Sequence, residues 1–253
     1  MNEFWVFALI GFVAQIIDGS LGMGFGVISS SVLLGQGVAP ALVSASVNAA
    51  KLPTTGTAAL SHIFHRNMDR HLVLHLSVFG AIGGILGVVL LTSLKGKLLA
   101  YIVNLYLILM GTLILHRGLK DVTPRLISPK LQRTIGFAGG LIEGIGGSWG
   151  PIVTTSLLAA GKESRYAIGS GNISEFVVAI AVFSSFVLTF ASGHWGGGAN
   201  WVDMALPVAG LVIGGLPAAM FGGYLSKRAP KKPLTIAVGL LALGIAIYRI
   251  ASA

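Results

Sequence analysis

The chain has 253 residues, of which 54% are hydrophobic and 10% charged, and its formal net charge is +9. Its mean hydropathy of +0.86 is too high for a soluble domain of this length, which needs a polar surface. The basic excess does not indicate nucleic-acid binding, because most of the 17 Lys and Arg residues lie in short loops, and the lack of Cys excludes disulfides and thiolate metal sites.

Apolar segments of a length that crosses a bilayer recur along the chain. In chain order they are 4–36, 41–62, 72–92, 98–116, 135–160, 166–192, 202–224 and 233–251. The alternating pattern of an outer-membrane barrel does not occur, so the sequence predicts an all-α polytopic membrane protein with about eight apolar segments. The N-terminus has neither a basic region nor a cleavage site, and we interpret it as a retained first helix.

The first and fifth apolar segments resemble each other, and the similarity continues beyond them. The matching stretches are GFVAQIIDG (11–19) with GFAGGLIEG (136–144), GMGFG (22–26) with GGSWG (146–150), SVLLGQG (31–37) with TSLLAAG (155–161), and SVN (46–48) with SGN (170–172). In this alignment Gly22 falls opposite Gly146, and Lys51 falls opposite Glu175. We therefore predict two repeats, residues 1–120 and 135–253, joined by a basic cytoplasmic linker at 121–134.

A glycine cluster interrupts the first apolar segment of each repeat. Residues 4–36 would form a straight helix about 50 Å long, whereas the hydrocarbon core is about 30 Å thick. Glycines within 19–26 and 144–151 allow the chain to turn at these places. We predict that each broken segment is a helical hairpin, either re-entrant or formed by two tight spans.

The charges of the loops distinguish two topologies. If both broken segments return to their starting side, thirteen Lys and Arg residues lie on one side and three on the other, whereas single crossings give an even split. The positive-inside rule favours the first arrangement, with inverted repeats and both termini extracytoplasmic. The predicted cytoplasmic loops are 63–71, 117–134, 161–165 and 226–232. Inverted repeats with broken helices are typical of secondary transporters, whose site lies at the repeat interface.

The glycine breaks and the S-x-N stretches also carry a family resemblance. The stretches IDGSLGMGFG, SASVNAAKLPTTGTAALSH, IEGIGGSWGPIVTTSLLAAG and SRYAIGSGNISEF resemble the TauE/SafE, or sulfite-exporter-like, family of bacterial membrane proteins. The resemblance covers nearly the whole chain. It implies transport of a small anion, such as sulfite, a sulfonate or a related organic acid, across the inner membrane. Relatives often carry an acid near the position of Lys51, so the cation departs from the family pattern.

The two breaks form the predicted substrate site. A half-helix that begins inside the membrane presents unpaired N–H groups and a positive dipole end, and two such ends would bind an anion without a fixed positive side chain. The alternative is that these glycines serve close helix packing. Asn48 and Asn172, from the two S-x-N stretches, either contact the substrate or hold helices together. The predicted substrate-binding residues are Gly22, Gly24, Phe25, Gly26, Ser46, Asn48, Gly146, Gly147, Ser148, Trp149, Gly150, Ser170 and Asn172.

Four charged residues lie inside apolar segments, where charge is costly and indicates function. Lys51 and Glu175 are either a structural ion pair or part of a coupling mechanism. Asp18 and Glu143 either cap the half-helices or exchange protons during transport. The histidines lack metal-binding spacing, and His62 is interpreted as an ordinary residue near a segment end. Neither a metal nor a cofactor is predicted.

Two other functions fit parts of the sequence. GGSWG matches the G-x-S-x-G pattern of serine hydrolases with Ser148 as nucleophile, but the first break has Gly24 at that position, which favours architecture over catalysis. An uncoupled anion channel would use the same site. We predict a proton-coupled secondary transporter that works by alternating access, and no enzyme. Its predicted partners are a small anionic substrate and membrane lipid, with a homodimer left open and no nucleic acid.

Overall fold

The computed structural model describes residues 2–94, 96–119, 127–193, 201–228 and 231–251, which contain helices and no strand. The helices are α1 (Asn2–Leu21), α2 (Phe25–Gly35), α3 (Pro40–Phe64), α4 (Arg70–Ser93), α5 (Gly96–Leu119), α6 (Pro129–Gly146), α7 (Trp149–Ala159), α8 (Ser164–Ala191), α9 (Trp201–Ala219), α10 (Gly222–Arg228) and α11 (Lys231–Ala251). The predicted all-α fold is confirmed. Of the predicted basic linker, residues 121–126 lie outside the described residues.

Helix α4 shows why the surface suits lipid. Large apolar side chains at every third or fourth position are exposed along one face, namely Leu74, Val78, Ile82, Ile85 and Val89. A stripe at helical spacing that faces outward is what a bilayer, not water, requires. Three described helices are each long and apolar enough to cross a membrane: Glu3–Leu21, Arg70–Ser93 and Ser164–Ala191. The number of eight segments stays a prediction.

Helices end at both predicted breaks. Helix α1 ends at Leu21 and α2 begins at Phe25, while α6 ends at Gly146 and α7 begins at Trp149. Helices α2 and α7 each have 11 residues, or about 16 Å, which is half of the hydrocarbon thickness. Neither can cross the bilayer alone.

Each broken segment turns back on itself. Gln36, which follows α2, lines a cavity of about 750 Å³ together with Phe7 from the start of α1. Lys162, which follows α7, lines a cavity of about 310 Å³ together with Gln132 from the start of α6. A straight continuation would separate either pair by about 40 Å or more. The breaks therefore lie at the tips of two hairpins, and the cavities lie at their open ends.

Close helix contacts depend on glycine. A Cβ at Gly140 in α6 would lie 1.9 Å from the carbonyl oxygen of Gly80 in α4. Where α9 meets α1, a Cβ at Gly214 would lie 1.7 Å from the carbonyl oxygen of Ala8. No side chain fits at such distances, and small residues let helices approach closely in lipid. Close packing accounts for these glycines, which lie outside the breaks.

The prediction of one continuous segment over 202–224 is wrong, because α9 ends at Ala219. Pro217 has no N–H to donate, and its ring crowds the carbonyl one turn earlier. The N–H of Met220 reaches the carbonyl one turn earlier only at 3.4 Å. The carbonyl of Met220 accepts a hydrogen bond from Ser61 Oγ in α3 at 2.9 Å. Helix α10 then starts as a separate short helix.

Buried apolar residues form two clusters, one around each hairpin. Phe25, at the start of α2, belongs to the first cluster with residues of α1, α3, α5, α9 and α11. Trp149, at the start of α7, belongs to the second with residues of α3, α4, α6 and α8. Helix α3 contributes to both clusters and so places its polar side chains between them.

Candidate functional site

Both breaks use the same backbone turn. Gly22 has φ +66° and Gly147 has φ +68°, a left-handed conformation that favours glycine. The N–H of Gly22 donates to the Asp18 carbonyl at 2.6 Å, and the N–H of Gly147 donates to the Glu143 carbonyl at 2.7 Å. In the turn Gly22 therefore corresponds to Gly147, whereas the sequence alignment pairs it with Gly146. The second break is one residue shorter after the turn. Helix α7 begins two residues after Gly147, whereas α2 begins three residues after Gly22.

The acid before each turn caps the half-helix after it. Asp18 Oδ1 accepts hydrogen bonds from the N–H groups of Gly24 at 2.9 Å and Phe25 at 3.3 Å. Glu143 Oε2 accepts one from the N–H of Trp149 at 2.7 Å. A carboxylate there satisfies donors that the helix leaves unpaired and complements its dipole. Capping, one of the two predicted alternatives, is present, and proton exchange by these acids stays a prediction.

Capping also changes the expected anion site. The main-chain donors of Gly24, Phe25 and Trp149 are already bound to the protein's own carboxylates. A substrate at the breaks must use other donors or displace these acids. Substrate binding by these residues stays a prediction. The site also contains a positively charged side chain, which the predicted anion site lacks.

That positive charge is Lys51, which joins the second break to α8. Its Nζ donates to Glu143 Oε1, to Glu175 Oε1 and to the carbonyl oxygen of Gly147, each at 2.7 Å. All three ammonium protons are thus used. The side chains of Lys51 and Glu143 are fully buried, and that of Glu175 is 4% exposed. The contact predicted between Lys51 and Glu175 is present, and Glu143 is a second partner that the sequence did not reveal.

The buried cluster contains more acids than cations. Asp18 lies close enough to Lys51 and Glu143 for a direct electrostatic interaction. Lys51 is the one buried Lys or Arg side chain in the part of the chain that the structure describes. Three carboxylates and one ammonium carry a formal charge of −2 inside an apolar protein, which is costly. Each proton that binds a carboxylate reduces that charge by one.

The two breaks pack directly against each other. A Cβ at Gly26 would lie 1.6 Å from the carbonyl oxygen of Gly147, and a Cβ at Gly150 would lie 2.3 Å from the carbonyl oxygen of Gly22. Neither position has room for a side chain. The structure thus brings the predicted glycines of both breaks together at one contact.

Two side-chain hydrogen bonds cross this contact. Ser30 Oγ in α2 donates to the Gly146 carbonyl, and Thr154 Oγ1 in α7 donates to the Gly22 carbonyl, both at 2.6 Å. Ser30 and Gly22 of the first half correspond to Thr154 and Gly146 of the second half, each 124 residues later. Each bond is therefore the counterpart of the other with the two halves exchanged. The sequence alignment pairs these two hydroxyl residues but does not predict a role for them.

The S-x-N residues lie around the charge cluster. Ser46 Oγ and Asn48 Nδ2 each donate to a carbonyl one turn earlier in α3. Ser170 Oγ accepts a hydrogen bond from the N–H of Asp69, the residue before α4. The amide oxygens of Asn48 and Asn172 are buried, and neither has a hydrogen-bond partner in the described part of the chain. Such groups need a ligand or water, and their role as substrate ligands stays a prediction.

The residues of GGSWG are bound within the fold. Ser148 Oγ donates to the Gly146 carbonyl at 3.3 Å. The Trp149 ring is fully buried, and its Nε1 donates to the Gly171 carbonyl at 3.1 Å. The indole therefore fixes the start of α7 to α8, beside Asn172.

Two further buried polar residues were not predicted to belong to the site. The interpretation of His62 as an ordinary interfacial residue is wrong, because it is fully buried and its Nε2 lies 3.3 Å from Asn172 Nδ2. Its position three helical turns after Lys51, on the same face of α3, was the available signal. Gln15 is also fully buried, and neither polar atom of its amide has a hydrogen-bond partner within the described ranges.

Outside the apolar segments, Asp69 caps α4. Its Oδ1 accepts hydrogen bonds from the N–H groups of His71 at 3.1 Å and Leu72 at 3.2 Å, and its Oδ2 accepts one from Lys162 Nζ at 2.5 Å. Partial burial raises the pKa of the Asp69 carboxyl, but the bond from Lys162 and the two main-chain bonds outweigh it. The pKa of Asp69 therefore lies below its usual range.

Comparison with known proteins agrees with a membrane-transport function. The family model described as "Sulfite exporter TauE/SafE" matches residues 7–249. The "Probable membrane transporter protein YtnM" of Bacillus subtilis (strain 168) is 35% identical over 248 residues, which cover 94% of this chain and 80% of that protein. No solved structure shows a significant match. The chain therefore belongs to the sulfite exporter TauE/SafE family of multi-pass membrane transporters.

Proposed function

We propose that this protein is a secondary transporter that moves sulfite, a sulfonate or a related small organic acid across the bacterial inner membrane, coupled to protons. The observation that carries the proposal is the reciprocal contact of two half-helices beside a buried cluster of three acids and one lysine. The description of the family supports the substrate class, because it names sulfite export.

The two halves, residues 1–120 and 135–253, act as inverted repeats in this proposal. The bonds from Ser30 to Gly146 and from Thr154 to Gly22 support a two-fold relation, because each is the other displaced by 124 residues. The cavities at the open ends of the two hairpins would then face opposite sides of the membrane. That arrangement suits alternating access to a central site.

The charge cluster links proton binding to anion binding. When a carboxylate beside Lys51 is protonated, the ammonium faces less negative charge, and an anion binds more readily near it. The anion in turn favours the protonated carboxyl, because the coupling between two ligands is reciprocal. Glu175 is the proposed proton carrier, because Glu143 also caps α7 and is needed for the fold.

Reconstituted proteoliposomes test the function directly. Sulfite, methanesulfonate and acetate are compared with and without an imposed pH gradient. We expect saturable flux that the gradient drives for at least one of these anions. Flux that does not saturate and ignores the gradient would establish the channel alternative, and no flux of any of the three would refute the proposed substrate class.

The coupling role of Glu175 is tested by Glu175→Gln, with Glu163→Gln as control. Glu163 is an exposed carboxylate paired with Arg165 outside the cluster. We expect Glu175→Gln to keep anion exchange but to lose its response to a pH gradient, and Glu163→Gln to behave as wild type. Gradient-driven flux in Glu175→Gln would move the coupling role to Asp18 and Glu143.

Topology is tested by single cysteines, because the chain has none of its own. We propose that both termini are extracytoplasmic, which puts residue 125 in the cytoplasm. A cysteine at position 125 should resist a membrane-impermeant reagent in intact cells and react after permeabilisation. Reaction in intact cells would contradict the inverted topology.

The hydrolase alternative is tested by Ser148→Ala and by a serine-directed covalent probe. The hydroxyl donates to a carbonyl of its own turn, and the names of the family and of the relative are those of transporters. We expect no labelling of the wild-type protein and retained flux in the variant. Covalent labelling that Ser148→Ala abolishes would overturn the transporter assignment.

A further inference from the structure

A chain of buried polar groups joins α10 to Asn172 through His62. Asn67, His62 and Asn172 are 0%, 0% and 1% exposed. Asn67 Nδ2 donates to the carbonyl oxygen of Gly223 at 3.2 Å and lies 3.5 Å from His62 Nδ1. On the other side of the imidazole ring, Nε2 lies 3.3 Å from the amide of Asn172. Both ring nitrogens of His62 therefore face an amide group.

The chemistry of these groups determines which ring nitrogen of His62 carries the proton. The Gly223 carbonyl can only accept, so it fixes the NH₂ group of Asn67 on the side that faces His62 Nδ1. Nδ1 must then accept a hydrogen bond. A neutral imidazole that accepts at Nδ1 carries its proton at Nε2. The Nε2–H group can then donate to the amide oxygen of Asn172, whose amide group lies on that side of the ring.

The Asn172 amide has such an acceptor available. Its oxygen has no hydrogen-bond partner among the residues that the structure describes. Amide nitrogen and oxygen exchange places by a half turn of the group, and the surrounding donors and acceptors decide which orientation forms. With His62 protonated at Nε2, the Asn172 oxygen turns toward the ring. The NH₂ group then points to the opposite side, where the oxygen would otherwise lie.

Asn172 lies beside the proposed transport site. Asn172 lies one turn before Glu175 in α8, and the carbonyl of its neighbour Gly171 accepts the hydrogen bond of the Trp149 indole at the second break. A buried N–H group without a protein partner is costly unless a ligand or water accepts its hydrogen bond. An anion oxygen is such an acceptor, whereas an amide oxygen in the same place would repel it.

We propose that His62 is a positioning residue that holds the Asn172 amide with its NH₂ group toward the transported anion, to which it donates a hydrogen bond. The inference rests on the proposed anion transport. His62 itself does not contact the substrate. It determines whether Asn172, which does, presents a hydrogen-bond donor or an acceptor. Asn67 and the Gly223 carbonyl extend the chain to α10 and maintain the tautomer of His62.

The tautomer is read without any substrate. The full-length protein, labelled with ¹⁵N-histidine and placed in lipid nanodiscs, gives separate NMR signals for protonated and unprotonated ring nitrogens. The His62 signals are those missing from His62→Gln. We expect the proton on Nε2 and an unprotonated Nδ1. A proton on Nδ1 would overturn the proposal, because Nε2 would then accept from Asn172 and the amide oxygen would face the anion.

Transport kinetics test the consequence for binding. In His62→Gln the amide nitrogen takes the place of Nε2 and donates the same hydrogen bond, whereas the side chain of His62→Asn is too short to do so. We expect the KM for sulfite in proteoliposomes to stay within about threefold of wild type in His62→Gln. It should rise about tenfold in His62→Asn with the maximal rate largely retained, as for one lost hydrogen bond to an anion.

The matched control is His65→Gln. His65 lies one turn after His62, and its Nδ1 lies 2.7 Å from the Ser61 carbonyl. This control should leave the KM unchanged. Equal KM values in His62→Gln and His62→Asn would overturn the positioning role. They would mean that the hydrogen bond from residue 62, which only the Gln side chain can replace, does not affect binding.

Two further outcomes are decisive. If His62→Asn does not fold, Asn172→Asp replaces the donor by an acceptor of the same size and should abolish saturable sulfite flux, and wild-type flux in that variant would contradict the proposal. If the wild-type protein moves none of sulfite, methanesulfonate and acetate, the proposed function fails and the role of Asn172 fails with it. The NMR result would still decide the orientation of the amide separately.

Discussion

The two helix breaks share a backbone but differ in their side chains. Each turns at a left-handed glycine and is capped by the acid four residues earlier. At the first break, one oxygen of Asp18 accepts two N–H groups. At the second, Glu143 uses one oxygen for the N–H of Trp149 and the other for Lys51. The extra methylene of Glu allows one side chain to bridge a helix end and a cation, so the second break contains the ionic chemistry.

The same contrast appears at the aligned positions 51 and 175. Two identical charges there would repel strongly at hydrogen-bond distance in an apolar interior. Lys51 and Glu175 instead attract each other at 2.7 Å across the contact between the two halves. The shared glycines therefore explain the architecture, and the positions at which the halves differ explain the charge cluster.

The largest expected effect comes from removing the cation that the second break uses. Lys51→Met leaves Glu143 and Glu175 buried without a positive partner, and the free energy of unfolding should fall by about 3–5 kcal/mol. Thermal unfolding in detergent measures this loss. Adding Glu175→Gln to Lys51→Met should restore part of the stability, because one uncompensated charge is removed. A wild-type unfolding temperature in Lys51→Met would show that the cluster is not structural.

The next effect compares the two caps directly. Asp18→Asn and Glu143→Gln both retain an oxygen that can accept from a helix N–H, but both lose the negative charge. We expect a loss of about 1 kcal/mol for Asp18→Asn, the value of a charge at a helix end. Glu143→Gln should lose about 2–3 kcal/mol, because it also loses a charged hydrogen bond to Lys51. Equal losses in thermal unfolding would mean that Glu143 is only a cap.

A smaller effect is expected from the two hydrogen bonds that link the breaks. Ser30→Ala and Thr154→Val each remove one hydroxyl that donates to a carbonyl of the opposite break. Each should cost about 1 kcal/mol, because one buried hydrogen bond between the two breaks is lost. Chemical or thermal unfolding of both variants under the same conditions measures the pair. A wild-type free energy of unfolding in either variant would show that its hydroxyl does not help to hold the two breaks together.

The sequence predicts the features that are repeated. The positions of both breaks and the contact between Lys51 and Glu175 follow from aligned glycines and aligned mid-segment residues. Glu143 as a second partner of Lys51 does not follow, because it depends on how closely the two hairpins pack. The burial of His62 also depends on tertiary packing, since α10 and Asn67 cover it. The end of α9 was missed because Pro217 lies in an apolar run, and such prolines are often tolerated in membrane helices.

The smallest effect lies outside the breaks, at the ion pair of Asp69 and Lys162. The pKa of Asp69 is lowered from its usual value of 3.8 in the folded protein. The pair should therefore stabilise the fold above about pH 4, and this contribution should disappear as the pH falls through the lower folded value. Both side chains are about one-third exposed, so Lys162→Met should cost less than about 1 kcal/mol at pH 7. Unfolding of wild type and Lys162→Met between pH 7 and pH 3 measures the difference, which should shrink in acid. A difference in the free energy of unfolding that grows in acid would contradict the lowered pKa of Asp69. A loss of stability at pH 7 as large as that of Lys51→Met would contradict the contrast between the exposed ion pair and the buried one.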